Sequence, residues 1–117
     1  MRPVLMALLA APALAGCATT APTTAATNQA YRALGTEPFW SLSIDARSMR
    51  FSTADGQAVN EPTPRVIHGF AGEIYQGKHI RVNIVHGKCS DGMSDRIYPD
   101  SVQLGVDGMS FRGCGGL

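Results

Sequence analysis

Charge and aromatic side chains are both scarce in this chain of 117 residues, at 16% and 7%, with a single tryptophan. Ten Lys and Arg stand against nine Asp and Glu, so neither sign dominates. That balance argues against a nucleic-acid partner and against a protein held to anionic lipid by charge alone. No apolar run approaches the roughly 20 residues that a membrane-spanning helix needs. No glycine-rich phosphate loop is present, and no serine sits in a nucleophile elbow. Beyond Tyr31 no segment has a helical period, and nothing repeats internally. No cofactor is implied. The chain holds only three cysteines, Cys17, Cys89 and Cys114, and their positions matter more than their number.

The first 16 residues read as a targeting segment. Arg2 supplies a positive start, Val4 to Ala13 form an apolar stretch, and small residues follow up to Cys17. A stretch of about 10 apolar residues behind a positive start is the pattern of a removed secretory signal. A buried or amphipathic helix is a poor alternative, because Pro12 would break it and it has no polar face. Leu14, Ala15, Gly16 and Cys17 resemble the bacterial lipobox. The resemblance implies that Cys17 becomes diacylglyceryl-modified and then forms the new N-terminus. Several acyl chains anchor far better than one. Residue 18 is Ala rather than Asp, which resembles the sorting pattern for the outer membrane, facing the periplasm, in a Gram-negative host. Residues 18–30 are mostly Thr, Ala, Asn, Gln and Pro, so residues 17–30 are expected to be a lipidated N-terminus and flexible linker.

Residues 31–117 are left for one small domain, for which alternation is the main signal. Trp40, Leu42 and Ile44 share one face of their segment. Ile80, Val82 and Ile84 alternate with His79, Arg81 and Asn83, and Val102, Leu104 and Val106 repeat the pattern. Turn signals separate these runs, among them Asp55-Gly56, Asp91-Gly92 and Asp107-Gly108, the last a candidate tight hairpin. Asn60 to Pro64, with two prolines, reads as a loop or an edge. These features predict an all-β fold, a small antiparallel barrel or sandwich of about six to eight strands. A core of this size is marginal, and exported domains often add a disulfide. With Cys17 acylated, Cys89 and Cys114 are the pair expected to form it. Removing the signal also removes Arg2 and leaves nine basic and nine acidic residues.

Two longer elements stand out. One is Gly35-Thr36-Glu37-Pro38-Phe39-Trp40. The other runs from Cys89-Ser90-Asp91-Gly92 through Met93-Ser94-Asp95-Arg96 to Tyr98-Pro99, with Arg112-Gly113-Cys114 near the end. Together they resemble a poorly characterised family of bacterial exported proteins, often lipoproteins, that share GTEPFW and CSDGMSDRxYP elements and a terminal GC. The resemblance covers almost the whole domain and implies export, but no activity. This chain departs from the family pattern in its tail, Gly115-Gly116-Leu117.

The candidate binding or structural residues are therefore Glu37, Trp40, Asp91, Asp95, Arg96 and Tyr98. Trp40, on an apolar face, is expected in the core. Glu37 has three open roles: a solvated carboxylate, a general acid, or, as the first expectation, an ion pair with Arg96 or Arg112. Asp91, Ser94 and Asp95 offer hard oxygen ligands for calcium, but the stretch does not match an EF-hand, and an Asx turn beside a disulfide is the expected reading. His68, His79 and His86 are scattered, which argues against zinc or copper. The leading expectation is a membrane-anchored, non-enzymatic binding module of the cell envelope, whose ligand is an envelope protein, a glycan or a small hydrophobic molecule. An inhibitor of an envelope-attacking enzyme such as a lysozyme, and a calcium or enzyme site around Asp91 and Asp95, are the alternatives.

Overall fold

The structure, a computed structural model, describes residues 29–117. The signal peptide, Cys17 and nearly all of the linker expected from the sequence lie outside the described residues. The rest is all-β: nine strands in one antiparallel sheet, curled into a half-barrel. In chain order they are β1 (Tyr31–Thr36), β2 (Phe39–Ile44), β3 (Ser48–Thr53), β4 (Ala58–Pro62), β5 (Ile67–His68), β6 (Gly72–Gln76), β7 (Ile80–Ser90), β8 (Ile97–Val106) and β9 (Met109–Gly115). Nine exceeds the expected six to eight because β5 has only two residues, too few to carry an alternating pattern.

Across the sheet the order is β4-β3-β2-β1-β9-β8-β7-β6-β5. The two edge strands, β4 and β5, are thus consecutive in sequence, separated only by residues 63–66. One stretch of chain pairs with β3 at its start and with β6 at its end, so it lies along both free edges. Pro62 and Pro64 flank the crossover, where a missing amide costs no ladder bond. Asn60 to Pro64 is therefore an edge that turns into a connection.

The alternation puts one set of side chains inside. Ile80, Val82 and Ile84 from β7 meet Val102, Leu104 and Val106 from β8, while Leu42, Ile44, Met49 and Phe51 come from β2 and β3. Trp40, Phe51 and Phe111 form an aromatic cluster with ring centroids 5.0–6.4 Å apart. Burial of each large side chain contributes roughly 1.5–3 kcal/mol. The Trp40 indole fits because Gly35, its register partner, and Gly113 have no side chains; a Cβ at either position would run into the ring. Asp107 and Gly108, with φ of 47° and 84°, make the two-residue turn between β8 and β9 in the left-handed geometry that matches sheet twist.

One buried carboxylate links the first edge to the far hairpin. Glu61 of β4 accepts the backbone N–H groups of His79 (2.7 Å) and Ile80 (3.2 Å) through Oε2. Its Oε1 lies where a Cβ on Gly77 would fall, so the β6–β7 turn leaves room for the carboxylate only because residue 77 is Gly. Glu61→Ala should cost about 1–3 kcal/mol, because it leaves two amides without their acceptor at a site with little water. For a domain of this size that is a fall in Tm of very roughly 4–8 °C per kcal/mol. Thermal unfolding checks it, and an unchanged Tm would show that the carboxylate does not hold the edge.

Candidate functional site

The two long sequence elements meet beside β9. Thr36 ends β1 and its hydroxyl donates to the Asp91 carbonyl (3.0 Å), joining the β1–β2 turn to the loop after β7. A disulfide between Cys89 and Cys114, with Cα atoms 5.6 Å apart, fixes the base of that loop to β9. Between them is a cleft of about 420 Å³, whose walls include Glu37, Ser90, Met93 and Arg112.

Within the loop, Asp91 organises the backbone. Its Oδ1 accepts the N–H groups of Met93 and Ser94, both at 2.9 Å, and its Oδ2 accepts the Ser94 hydroxyl (3.1 Å) and the Tyr98 hydroxyl (3.2 Å). This is the Asx turn expected from the sequence. The two backbone amides, the largest influence, hold the Asp91 carboxyl below its ordinary range. A cation would have to displace these donors. Tyr98 is buried beneath the loop, with the Arg96 guanidinium stacked 4.9 Å above its ring, and Asp95 is exposed.

Trp40 is 3% exposed and its indole N–H donates to the Arg112 carbonyl (3.3 Å), so it supports the floor of the cleft and presents no surface to solvent. The ion pair expected for Glu37 is corrected by the structure. Among the described residues no carboxylate pairs with Arg96 or Arg112, and Glu37 projects from the exposed β1–β2 turn, after which the peptide to Pro38 is cis. The turn holds Glu37 at the rim of the cleft that Arg112 also lines, without joining the two charges.

No protein-family model, curated protein or solved structure matches this chain. What the site does must therefore be argued from its geometry.

Sequence reasoning missed a second polar cluster. His86 of β7 sits between two carboxylates, with Nδ1 2.7 Å from Asp100 Oδ1 and Nε2 2.9 Å from Glu73 Oε2. The other oxygen of Asp100 accepts the Tyr31 hydroxyl at 2.8 Å. Four strands, β1, β6, β7 and β8, are thereby tied together. Carboxylates only accept, so both imidazole nitrogens must donate, which describes the protonated ring. Its pKa is raised above the ordinary 6.5, first by the hydrogen bond to Asp100 and then by that to Glu73. Tyr31 is pushed upward too, chiefly by burial and then by Asp100. With both nitrogens engaged, His86 has no lone pair to offer a metal or a substrate. It is a structural tie in this arrangement. His79, in contrast, pairs with Asp107 (2.7 Å) outside β7, and His68 lies on exposed β5.

A phase signal for this cluster was present in the sequence. His86 continues the inward series Ile80, Val82, Ile84, and Asp100 precedes Val102, Leu104, Val106 in the same series. The two face each other in register.

Two predictions follow from this geometry. Because the folded pKa of His86 is raised, its stabilising contribution is complete below 6.5 and is lost as pH rises through the higher folded value. The urea midpoint should therefore fall as pH rises from about 6 through the raised folded value, and His86→Gln should flatten that fall; equal slopes in both proteins would contradict the tie. Cys89→Ser should cost about 3–4 kcal/mol on the loop-closure account of a disulfide. An equal melting temperature for the variant and the oxidised parent would contradict that contribution.

Proposed function

We propose that this protein is a lipid-anchored module of the bacterial cell envelope that binds a protein partner through the cleft between its two sequence elements, without catalysis. One observation carries the reading: several chemistry-bearing groups of those elements are engaged within the protein. Trp40 bonds to the Arg112 carbonyl, Asp91 holds its own turn, Tyr98 that carboxylate, and Cys89 and Cys114 each other. The groups that face solvent around the cleft include Glu37, Phe39, Met93 and Arg112, with Asp95 and Arg96 exposed farther along the loop. Phe39 is 54% and Met93 69% exposed, and Phe39 is the register partner of Thr36 in the cleft wall. Adaptable apolar side chains beside an acid and a base suit the recognition of a polypeptide surface. An enzyme inhibitor would be one form of such a module.

Anchoring rests on the resemblance of Leu14-Ala15-Gly16-Cys17 to a lipobox. The chain enters the sheet at Tyr31, and the cleft is lined by Leu34, Gly35 and Thr36 in the second half of β1. Three residues of strand place about 10 Å between Tyr31 and the near edge of the cleft.

Two measurements test the proposal in the native host. Cys17→Ala should move the protein from the membrane fraction to the soluble fraction; retention on the membrane would remove the anchor. A photo-crosslinking residue in place of Met93 should yield a discrete protein adduct, reduced at least roughly ten-fold by Arg112→Glu, a loss of about 1.4 kcal/mol. Adducts no more abundant than those from a crosslinker in place of Asn60, exposed on the edge strand β4 and not lining the cleft, would overturn the binding reading.

A further inference from the structure

Where the chain enters the sheet, the half-barrel carries a different exposed feature, the β5–β6 hairpin. Phe70 at its tip is fully exposed, and Ile67 in β5 is 45% exposed. The hairpin is closed by Gly69 N–H donating to the Gly72 carbonyl at 2.7 Å, and its Ala71 carbonyl accepts the His86 N–H at 2.9 Å. His86 pairs with Asp100, and Asp100 with Tyr31, the first residue of β1. A continuous series of hydrogen bonds thus places Phe70 at the end of the molecule where the chain arrives from Cys17.

The charges at this end are unequally engaged. The acidic groups are bound: Asp100 by Tyr31 and His86, Glu73 by His86, and Asp45 by the Arg47 and Ser48 amides. Arg65, two residues before Ile67, and Lys88, two residues after His86, are exposed. An exposed aromatic tip between basic side chains is the composition of a surface that rests in a lipid headgroup layer.

We infer that the β5–β6 hairpin, through Phe70 and Ile67 with Arg65 and Lys88 beside them, contacts the surface of the bilayer in which Cys17 is anchored. The inference rests on the reading of Cys17 as the lipid attachment point. Eleven residues, 18–28, lie between Cys17 and the first described residue. Together they can span no more than about 40 Å. The hairpin is therefore held near the membrane at high effective concentration, where a contact too weak to recruit a free protein becomes populated. Its effect is orientation: the β5–β6 hairpin faces the lipid and the β8–β9 turn faces away from it.

The test uses the chain from Cys17 onward, oxidised so that only the Cys17 thiol is free, coupled to maleimide lipid in vesicles of phosphatidylethanolamine and phosphatidylglycerol. A benzoyl-phenylalanine in place of Phe70 is compared with one in place of Met109, exposed beside the β8–β9 turn at the other end. Irradiation should give lipid adducts at position 70 at least roughly five-fold over position 109, and Arg65→Glu with Lys88→Glu should lower that ratio. Equal yields at both positions, or adducts only to protein at position 70, would overturn the inference. The chemical link supplies the anchor in this experiment, so a failure belongs to the hairpin. The intact mass of the native protein separately decides whether the cell acylates Cys17.

Discussion

A curled sheet that is not closed by its own ladder must have its edges held by something else, and here that is the carboxylate of Glu61. Its acceptance of the His79 and Ile80 amides places the start of β7 beneath the end of β4, so that Met49, Ile80 and Val106 are shut away from water. That contact ties the edge strand β4 to the β6–β7 turn, while β4 and β5 remain the edges of the ladder. The site permits a buried charge because two backbone donors meet it, which is the condition under which burial of a carboxylate is tolerated. The missing side chain at Gly77 is as much a part of this closure as the carboxylate.

The opposite end of the sheet is held by polar contacts of another kind. Asp100 stands in an inward position of β8, where Val or Leu would otherwise be expected, and spends both oxygens on Tyr31 and His86. Glu61 and Asp100 are the buried charged residues among those described, and each joins strands distant in sequence. The apolar core supplies most of the burial. The two carboxylates fix contacts between particular strands, Glu61 between β4 and the start of β7 and Asp100 between β8 and Tyr31 of β1, a specificity that area alone does not provide.

Strands such as β7 and β8 were legible in the sequence because one face is buried along most of their length and the other is wet, which gives clean alternation. The Asp107-Gly108 turn was legible because two left-handed residues in succession demand that chemistry. The Asx turn at Asp91 and the pairing of Cys89 with Cys114 were also readable, the first from local chemistry and the second from compartment and number. What could not be read depends on contacts distant in sequence. β5 pairs for only two residues. Glu61 resembles any surface glutamate until β4 is seen to meet the β6–β7 turn. Glu37 and Arg112 were plausible partners by charge, yet a tight turn and a neighbouring strand fix them on one cleft without bringing them together. His86 was set aside as one of three scattered histidines, when the informative comparison was with Ile84, its neighbour in phase.

The division of polar groups between inside and outside bears most directly on function. A catalytic site needs groups that are exposed to a substrate and perturbed by their surroundings at the same time. Among the perturbed groups, Asp91, His86 and Tyr31 are committed to protein donors and acceptors. Under the proposed reading, the held floor limits the entropy lost on binding and side chains such as Met93 adjust to the partner. The disulfide belongs to this logic. It stabilises the fold, and it also holds the loop that carries Met93 against the strand that carries Arg112, so that the two sides of the cleft are presented as one surface.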